Sequence, residues 1–332
     1  MHRLHRKSKR FLRSSRRYRL MSDLYTLGEV MALFLAIDTD DVATAEKYEL
    51  SVAGAEGNVA VAVTRLGLSA SLISRLGADQ LGKNILASLK REGVHVDGVK
   101  TVNSYTPALV RNRGQENPID VTYLRKSSAG STISVEDVEE KAIALSRWVH
   151  VTGISVAISE SSAAAVAKAM ELARKNSVPI SFDINLRRKL WSESDASKAL
   201  RSLIHDVELV IGGVDEYAVV WGSADPEENL RLASAAGVKT AIMTAGDQMM
   251  RVLSNGERFD VMPNVVKTID PVGSGDAFVG GTIAGILGGL TLREAILQGS
   301  KCGALVASQL GDWTGLPKGA SGVMSQSLEN IS

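Results

Sequence analysis

From Val135 onward, short apolar runs of strand length alternate with segments of helix length and helical periodicity. Trp148 to Val151, Ile180 to Ile184, Leu209 to Ile211 and Thr240 to Met243 read as strands, and Ser161 to Asn176 and Ala196 to His205 as helices. This alternation constrains the fold more than any other feature of the chain. Strands separated by helices are joined by crossovers, which give a mainly parallel sheet with helices on its faces. Ligands of such sheets gather beyond the carboxyl ends of the strands.

The first third of the chain is less regular. Leu24 to Phe34 reads as a strand interrupted at Gly28-Glu29, and Asp38 to Leu50 as a polar, irregular stretch. Ala53-Gly54-Ala55-Glu56-Gly57-Asn58 opens an apolar helix over Val59 to Leu66, closed by Gly67. Ser69 to Leu76 is a strand, punctuated by Gly77-Ala78-Asp79, and Leu81 to Glu92 is an amphipathic helix stopped by Gly93. Residues 100–126 are rich in Thr, Val, Tyr and Asn and read as short strands of a small β appendage, with a turn at Gly114 to Pro118.

Composition bounds the possibilities. With 332 residues, 45% of them hydrophobic and 23% charged, the chain can build a large core. One α/β domain with a small appendage fits that length as well as two domains do. The single cysteine, Cys302, excludes an intrachain disulfide framework and suits a reducing, cytoplasmic compartment. It lies in an apolar helical pattern and is expected to be inert core. No CxxC or HExxH occurs and the five histidines are scattered, so a zinc site is not expected. Residues 1–20 hold nine of the 38 basic groups and no acid; the remaining 29 face 37 acids, a net charge of −8. The body therefore has no basic character, which argues against nucleic acid as a partner. The Arg-rich arm reads as a disordered extension or a mis-assigned start, because Met21 leads into the first strand almost at once; a transit peptide or a nucleic-acid or membrane-surface tail is the other reading. No run approaches the roughly 18 apolar residues of a membrane span, so no membrane partner is expected.

The stretch richest in chemical meaning is Asp270-Pro271-Val272-Gly273-Ser274-Gly275-Asp276-Ala277-Phe278, followed by an apolar, Gly-rich helical run from Ala277 to Leu290. Glycines at a loop-to-helix junction let backbone amides approach an anion, and the helix N-terminus adds unpaired N–H groups and partial positive charge. Asp276 is then either an N-terminal cap or a proton acceptor beside an anion cradle. The second combination suits phosphoryl transfer to a hydroxyl.

Asp270 to Phe278, with Gly280-Gly281 after it, resembles the C-terminal signature of the ribokinase-like (PfkB) carbohydrate kinases. Ala53-Gly54-Ala55-Glu56-Gly57-Asn58-Val59-Ala60 is similar to the family's glycine-rich sugar-binding motif, and Gly77-Ala78-Asp79-Gln80-Leu81-Gly82 to the G-x-D-x-x-G that follows it. The resemblance extends over nearly all of residues 22–320. Within the family, Gly28-Glu29, Tyr123 to Ser131, Asp183 to Trp191 and Gly311-Asp312 look like 2-keto-3-deoxygluconate kinases.

The resemblance implies an α/β, three-layer ribokinase-like fold over residues 21–320, with a small β-sheet lid near residues 30–50 and 100–130, and a C-terminal tail at 321–332. It implies a sugar-acid kinase using ATP and Mg²⁺, with K⁺ a further candidate, and a homo-oligomer joined through lid strands. Asp276 would be the catalytic base, with the amides of Gly273, Ser274 and Gly275 as the anion hole. Gly54, Asn58, Tyr123, Arg125 and Arg187 would hold the sugar acid; an arginine fork suits its carboxylate. Tyr123 and Arg125, two apart on a strand, share a face. The same arginines and tyrosine could instead be surface or loop-pairing groups. Thr244, Gly246, Gly273 and Gly275 would lie at the nucleotide phosphates, and Glu216 would hold magnesium through water or begin a helix. Three departures are visible. Leu109 stands where the branch often has a tyrosine, Gly213 where the N-x-x-E element has its polar residue, and Gln248-Met249 where a glycine usually follows Gly246. Sister kinases for fructose, ribose or 5-dehydro-2-deoxygluconate, and a non-catalytic sugar sensor, are the alternatives.

Overall fold

The computed structural model describes residues 22–318. The basic arm and the C-terminal tail expected at either end lie outside the described residues. Thirteen strands and ten α-helices are present among them. The strands are β1 (Leu24–Leu27), β2 (Met31–Ala36), β3 (Tyr48–Ala53), β4 (Ala70–Gly77), β5 (Val99–Val102), β6 (Ala108–Arg111), β7 (Val121–Leu124), β8 (Trp148–Thr152), β9 (Ile180–Asp183), β10 (Leu209–Gly213), β11 (Thr240–Thr244), β12 (Met250–Ser254) and β13 (Glu257–Val261). The helices are α1 (Ala55–Arg65), α2 (Gln80–Arg91), α3 (Glu140–Ala144), α4 (Gly153–Ala157), α5 (Glu160–Lys175), α6 (Glu193–Leu203), α7 (Val214–Trp221), α8 (Pro226–Ala235), α9 (Ser274–Leu287) and α10 (Leu292–Ala307).

Nine strands form one sheet in the order β13-β12-β11-β10-β9-β8-β1-β4-β5. All pairings from β11 to β5 are parallel, and β12 and β13 add an antiparallel edge. Consecutive residues of a strand point to opposite faces, and here each face meets its own core. Leu24, Leu209, Ile211 and Ile242 pack with α1, α2, α9 and α10. Tyr25, Val210, Ala241 and Met243 pack with α5 to α8. A sheet covered on both faces needs strands apolar at every position, which is why these runs read as continuous hydrophobic stretches. Cys302 is fully buried in α10, and burial pushes its thiol up to about 12, an inert core residue as expected.

The second sheet has four strands in the order β3-β2-β6-β7. The run from Leu24 to Phe34 is therefore two strands in two sheets, and Gly28 and Glu29 lie at the crossover. The expected appendage is corrected at its start: β5 pairs in parallel with β4 at the edge of the large sheet. The end of the stretch read as irregular is β3. The loop between β6 and β7 is organised by Asp40, whose carboxylate accepts the backbone amides of Arg113, Gly114, Glu116 and Asn117 at 2.7–2.9 Å. Among the described residues no helix is long and apolar enough to cross a membrane.

Candidate active site

The chain enters α9 three residues earlier than its apolar run suggests, so Ser274, Gly275 and Asp276 form the first turn. Gly273 caps the helix at φ 81°, and a Cβ there would stand 2.2 Å from the carbonyl oxygen of Asp312. Both the left-handed backbone and the close approach require glycine. The Ser274 hydroxyl donates to the carbonyl of Pro271 at 2.6 Å and closes the loop. A Cβ on Gly275 would meet nothing within 4 Å, so the chain faces open space there. The first-turn amides, which have no partner inside the helix, border a cleft of about 690 Å³, and of these the Ser274 amide donates to the Pro271 carbonyl at 3.2 Å in this structure. Gly273, Ser274, Gly275 and Asp276 all line it.

Asp276 is not the cap; Gly273 is, and no side chain caps the helix. The Asp276 carboxylate, 8% exposed, accepts the amide nitrogen of Asn58 at 2.7 Å. Burial raises its pKa above the ordinary carboxylate value, while the Asn58 hydrogen bond and the charge of Arg187 pull the other way. A carboxylate held by one donor, desolvated and facing a cleft, is suited to take a proton.

The three basic residues after β9 separate cleanly. Arg188 pairs with Glu193 and Asp215, and Lys189 with Asp120. The Arg187 carbonyl accepts the Leu190 amide at 2.8 Å, but its guanidinium has no hydrogen-bond or ion-pair partner among the described residues, and the residue lines the cleft. Its charge opposes the burial that raises the pKa of Asp276, Asp183 and Glu216. Tyr123 also lines the cleft. Arg125 lies 5.2 Å over the Tyr123 ring, on the same side of the strand as expected. Its guanidinium, however, is bound to the buried Glu29 at 2.7 Å, and it is not a cleft-lining residue. Leu109 stands directly opposite Tyr123 in the β6–β7 register.

Gly54 and Asn58 also stand behind the wall rather than on it. Gly54 has φ 134°, and a Cβ there would be 2.5 Å from the Glu29 carbonyl oxygen, so this glycine lets the head of α1 approach the crossover. The Asn58 amide is shared between Asp276 at 2.7 Å and Asp312 at 3.2 Å.

Thr244, the last residue of β11, Gly246 two residues later, and Glu216 in the first turn of α7 also line the cleft. The Glu216 carboxylate accepts the amides of Leu186 at 2.6 Å and Gly213 at 2.7 Å. It lies in the first turn of a helix, as one of the two sequence readings has it, and it lines the cleft. Glycine at 213 serves the cap through its backbone amide. Ser300 lines the cleft and accepts the Asn264 amide; Ser308 is buried and bonded to Leu305.

Sequence reading missed Asp183 and Asp312. Asp183, at the end of β9, lines the cleft; burial and the negative charge of Glu216 raise its pKa well above normal. Asp312 is raised to about 7 by burial, with Arg111 opposing. A signal for Asp183 existed: a carboxylate at the carboxyl end of a parallel strand lies where ligands collect. Two adjacent desolvated carboxylates, Asp183 and Glu216, suit a hard divalent cation, which takes oxygen ligands and keeps several waters. Among the described residues no group of three or more His, Cys, Asp or Glu could hold a metal ion by itself.

Comparison with known proteins converges on one family. Residues 21–319 match the model of the pfkB family carbohydrate kinases. The chain is 33% identical to a 2-dehydro-3-deoxygluconokinase of Thermoproteus tenax, over 90% of this chain and 92% of that one. It is 32% identical to the enzyme of the same name from Bacillus subtilis, over 89% and 92%. Among solved structures, a PfkB protein from Polaromonas sp. JS666 superposes with a TM-score of 0.83 at 31% identity, covering 92% of this chain and all of that one.

Proposed function

Because the chain belongs to the pfkB family of carbohydrate kinases, we propose that it phosphorylates the terminal hydroxyl of a sugar acid, 2-keto-3-deoxygluconate, from ATP. The observation that carries this reading is the pairing of Asp276 and Arg187 across one cleft. The first is a desolvated carboxylate beside a glycine-lined helix N-terminus. The second is a guanidinium that has no ion-pair or hydrogen-bond partner among the described residues. A neutral sugar offers an arginine only uncharged hydroxyl acceptors, whereas a carboxylate takes its planar fork in two parallel, charge-assisted hydrogen bonds. The names of the similar enzymes from Thermoproteus tenax and Bacillus subtilis support the same substrate class.

In the proposed reaction the substrate carboxylate lies on Arg187 with Tyr123 beside it, and Arg125, anchored on Glu29, backs the Tyr123 ring. Asp276 takes the hydroxyl proton as the oxygen attacks the γ-phosphorus. The bond to the β–γ bridging oxygen breaks, and ADP leaves. The amides of Gly273, Ser274 and Gly275 hold the negative charge of the transferring group, and Thr244 and Gly246 border the remaining phosphates. Positioning and charge stabilisation supply most of the acceleration. Magnesium would sit near Glu216 and Asp183 through water and, when bound, would neutralise phosphate charge. The β3-β2-β6-β7 sheet covers the sugar side as a lid and excludes water from the reaction. Its exposed Tyr48, Leu50 and Leu124 are a surface on which a second copy can pack through the lid strands. A single buried cysteine suits a cytoplasmic enzyme.

A coupled ADP-release assay across sugar acids and neutral sugars, with and without potassium, tests this reading. Turnover of 2-keto-3-deoxygluconate well above fructose and ribose is expected. Preference for a neutral sugar would assign the chain to a sister kinase, and no turnover with any of them to a sensor.

A further inference from the structure

Among the described residues, the largest fully buried side chain is a charged one. Arg111, at the end of β6 in the small sheet, is 1% exposed. Its Nη2 donates to Asp270 Oδ2 at 2.6 Å, and Asp270 is itself fully buried. An ion pair taken this far out of water costs desolvation on both partners, and leaving either one alone is costlier still. Hydrophobic residues could fill the same volume. The pair therefore calls for a reason, and its connections supply one.

Asp270 is the first residue of the loop that carries the anion cradle. Its Oδ1 accepts the Val272 amide at 3.1 Å, which sets the turn immediately before Gly273. Its Oδ2 accepts the Gly311 amide, also at 3.1 Å, which holds the loop to the segment bearing Asp312. Asp312 in turn shares the Asn58 amide with Asp276. Among the described residues, Arg111 is the one group through which this buried set is tied to the small sheet by a charge pair. Its Nη1 donates to the Asn112 carbonyl at 3.2 Å, and one contact is unfinished: Nη2 lies 3.8 Å from Asp312 Oδ1, about 1 Å beyond hydrogen-bond length. Both Arg111 Nε and Asp312 Oδ1 are buried and lack a hydrogen-bond partner. The network has a bond left to make, and a small approach of β6 toward the Asp312 segment would make it.

We propose that Arg111 is a positioning residue that fixes the hinge of the phosphate cradle from the small sheet, so that the cover over the sugar and the cradle for the phosphate are set together. Arg111 touches neither substrate. It acts on the phosphoryl-transfer site through Asp270. The inference rests on the kinase reading above but not on which sugar is used.

The test is Arg111→Met, which keeps the stem and removes the charge, with Arg111→Lys beside it. A 1 Å misplacement of a cradle costs about 100-fold in rate. The Met variant should lose turnover on that scale with whichever acceptor the wild type prefers, while sugar affinity by calorimetry stays within a few-fold. ATP affinity of the sugar-free protein should fall, a readout that stands even if the sugar assignment fails. Lysine, which restores the charge without the fork, should recover part of both. Should the Met variant not fold, Asp270→Asn keeps the shape of the loop and removes the other half of the pair, and the same losses are expected. Wild-type turnover and ATP affinity in a folded Arg111→Met or Asp270→Asn variant would overturn the proposal, whatever the melting temperature.

Discussion

Glu56 offers a sharp thermodynamic test, because it is an acid buried where no base can neutralise it. It sits in the first turn of α1, 1% exposed, and its Oε1 accepts the hydroxyls of Thr152 at 2.7 Å and Ser155 at 2.6 Å. Burial pushes its pKa up to about 7 from an ordinary 4.5, with the two hydroxyls opposing. Between those values the native state holds a proton that the unfolded chain has already released. Stability is therefore highest below the unfolded value and declines as pH rises through the native one. At 1.36 kcal/mol per pH unit, a rise from 4.5 to about 7 means a loss of about 3 kcal/mol between pH 4 and pH 8. Glu56→Gln keeps an oxygen for both hydroxyls and cannot ionise. Chemical denaturation of both proteins at several pH values isolates the residue, since Asp312 and the other acids contribute equally to each. The stability of the variant relative to wild type should rise by about 3 kcal/mol from pH 4 to pH 8. A difference that is flat with pH would show that Glu56 is ionised in the native protein and refute the reasoning.

Other expectations concern turnover. Arg187→Ala should raise the KM for the sugar acid by about 100-fold, the worth of a charge-assisted bidentate pair, with KM for ATP little changed; equal effects on both would contradict the carboxylate assignment. The acid limb of the kcat/KM profile should lie above the ordinary carboxylate range, because burial raises Asp276, and activity falls as pH drops through that value. In Arg187→Ala the limb should move further up, since the opposing positive charge is gone; a downward shift would sink the assignment. Gly273→Ala should abolish turnover and lower the melting temperature, because its Cβ cannot share space with the Asp312 carbonyl; a well-folded, active variant would mean the cap has another conformation.

What the sequence made legible follows the physics of each element. The strands from β8 to β11 are buried on both faces, so an apolar run marks them without ambiguity. Gly28-Glu29 marked the break between β1 and β2, but the residues on either side are equally apolar, and nothing local says that they belong to different sheets. The β12–β13 hairpin was missed although Asn255-Gly256, both at positive φ, carry the signal of a tight two-residue turn. The anion cradle was readable because glycine spacing and a helix start are local features. The fate of the arginines was not. Arg125 and Arg187 look alike in sequence; one is spent on Glu29, 96 positions earlier, and the other is left free. Arg111 was passed over for the same reason: a lone arginine in a strand reads as surface, and its burial depends on an aspartate 159 residues away. The bond from Asn58 to Asp276 was equally invisible, since it is set by how closely α1 and α9 pack.

The most direct measurement is the turnover of Asp276→Asn with 2-keto-3-deoxygluconate and ATP, alongside sugar binding by calorimetry. The amide is the same shape and cannot accept the hydroxyl proton. Turnover should drop by about 100-fold or more with sugar affinity retained, whereas turnover near that of the unmodified protein would contradict Asp276 as the base.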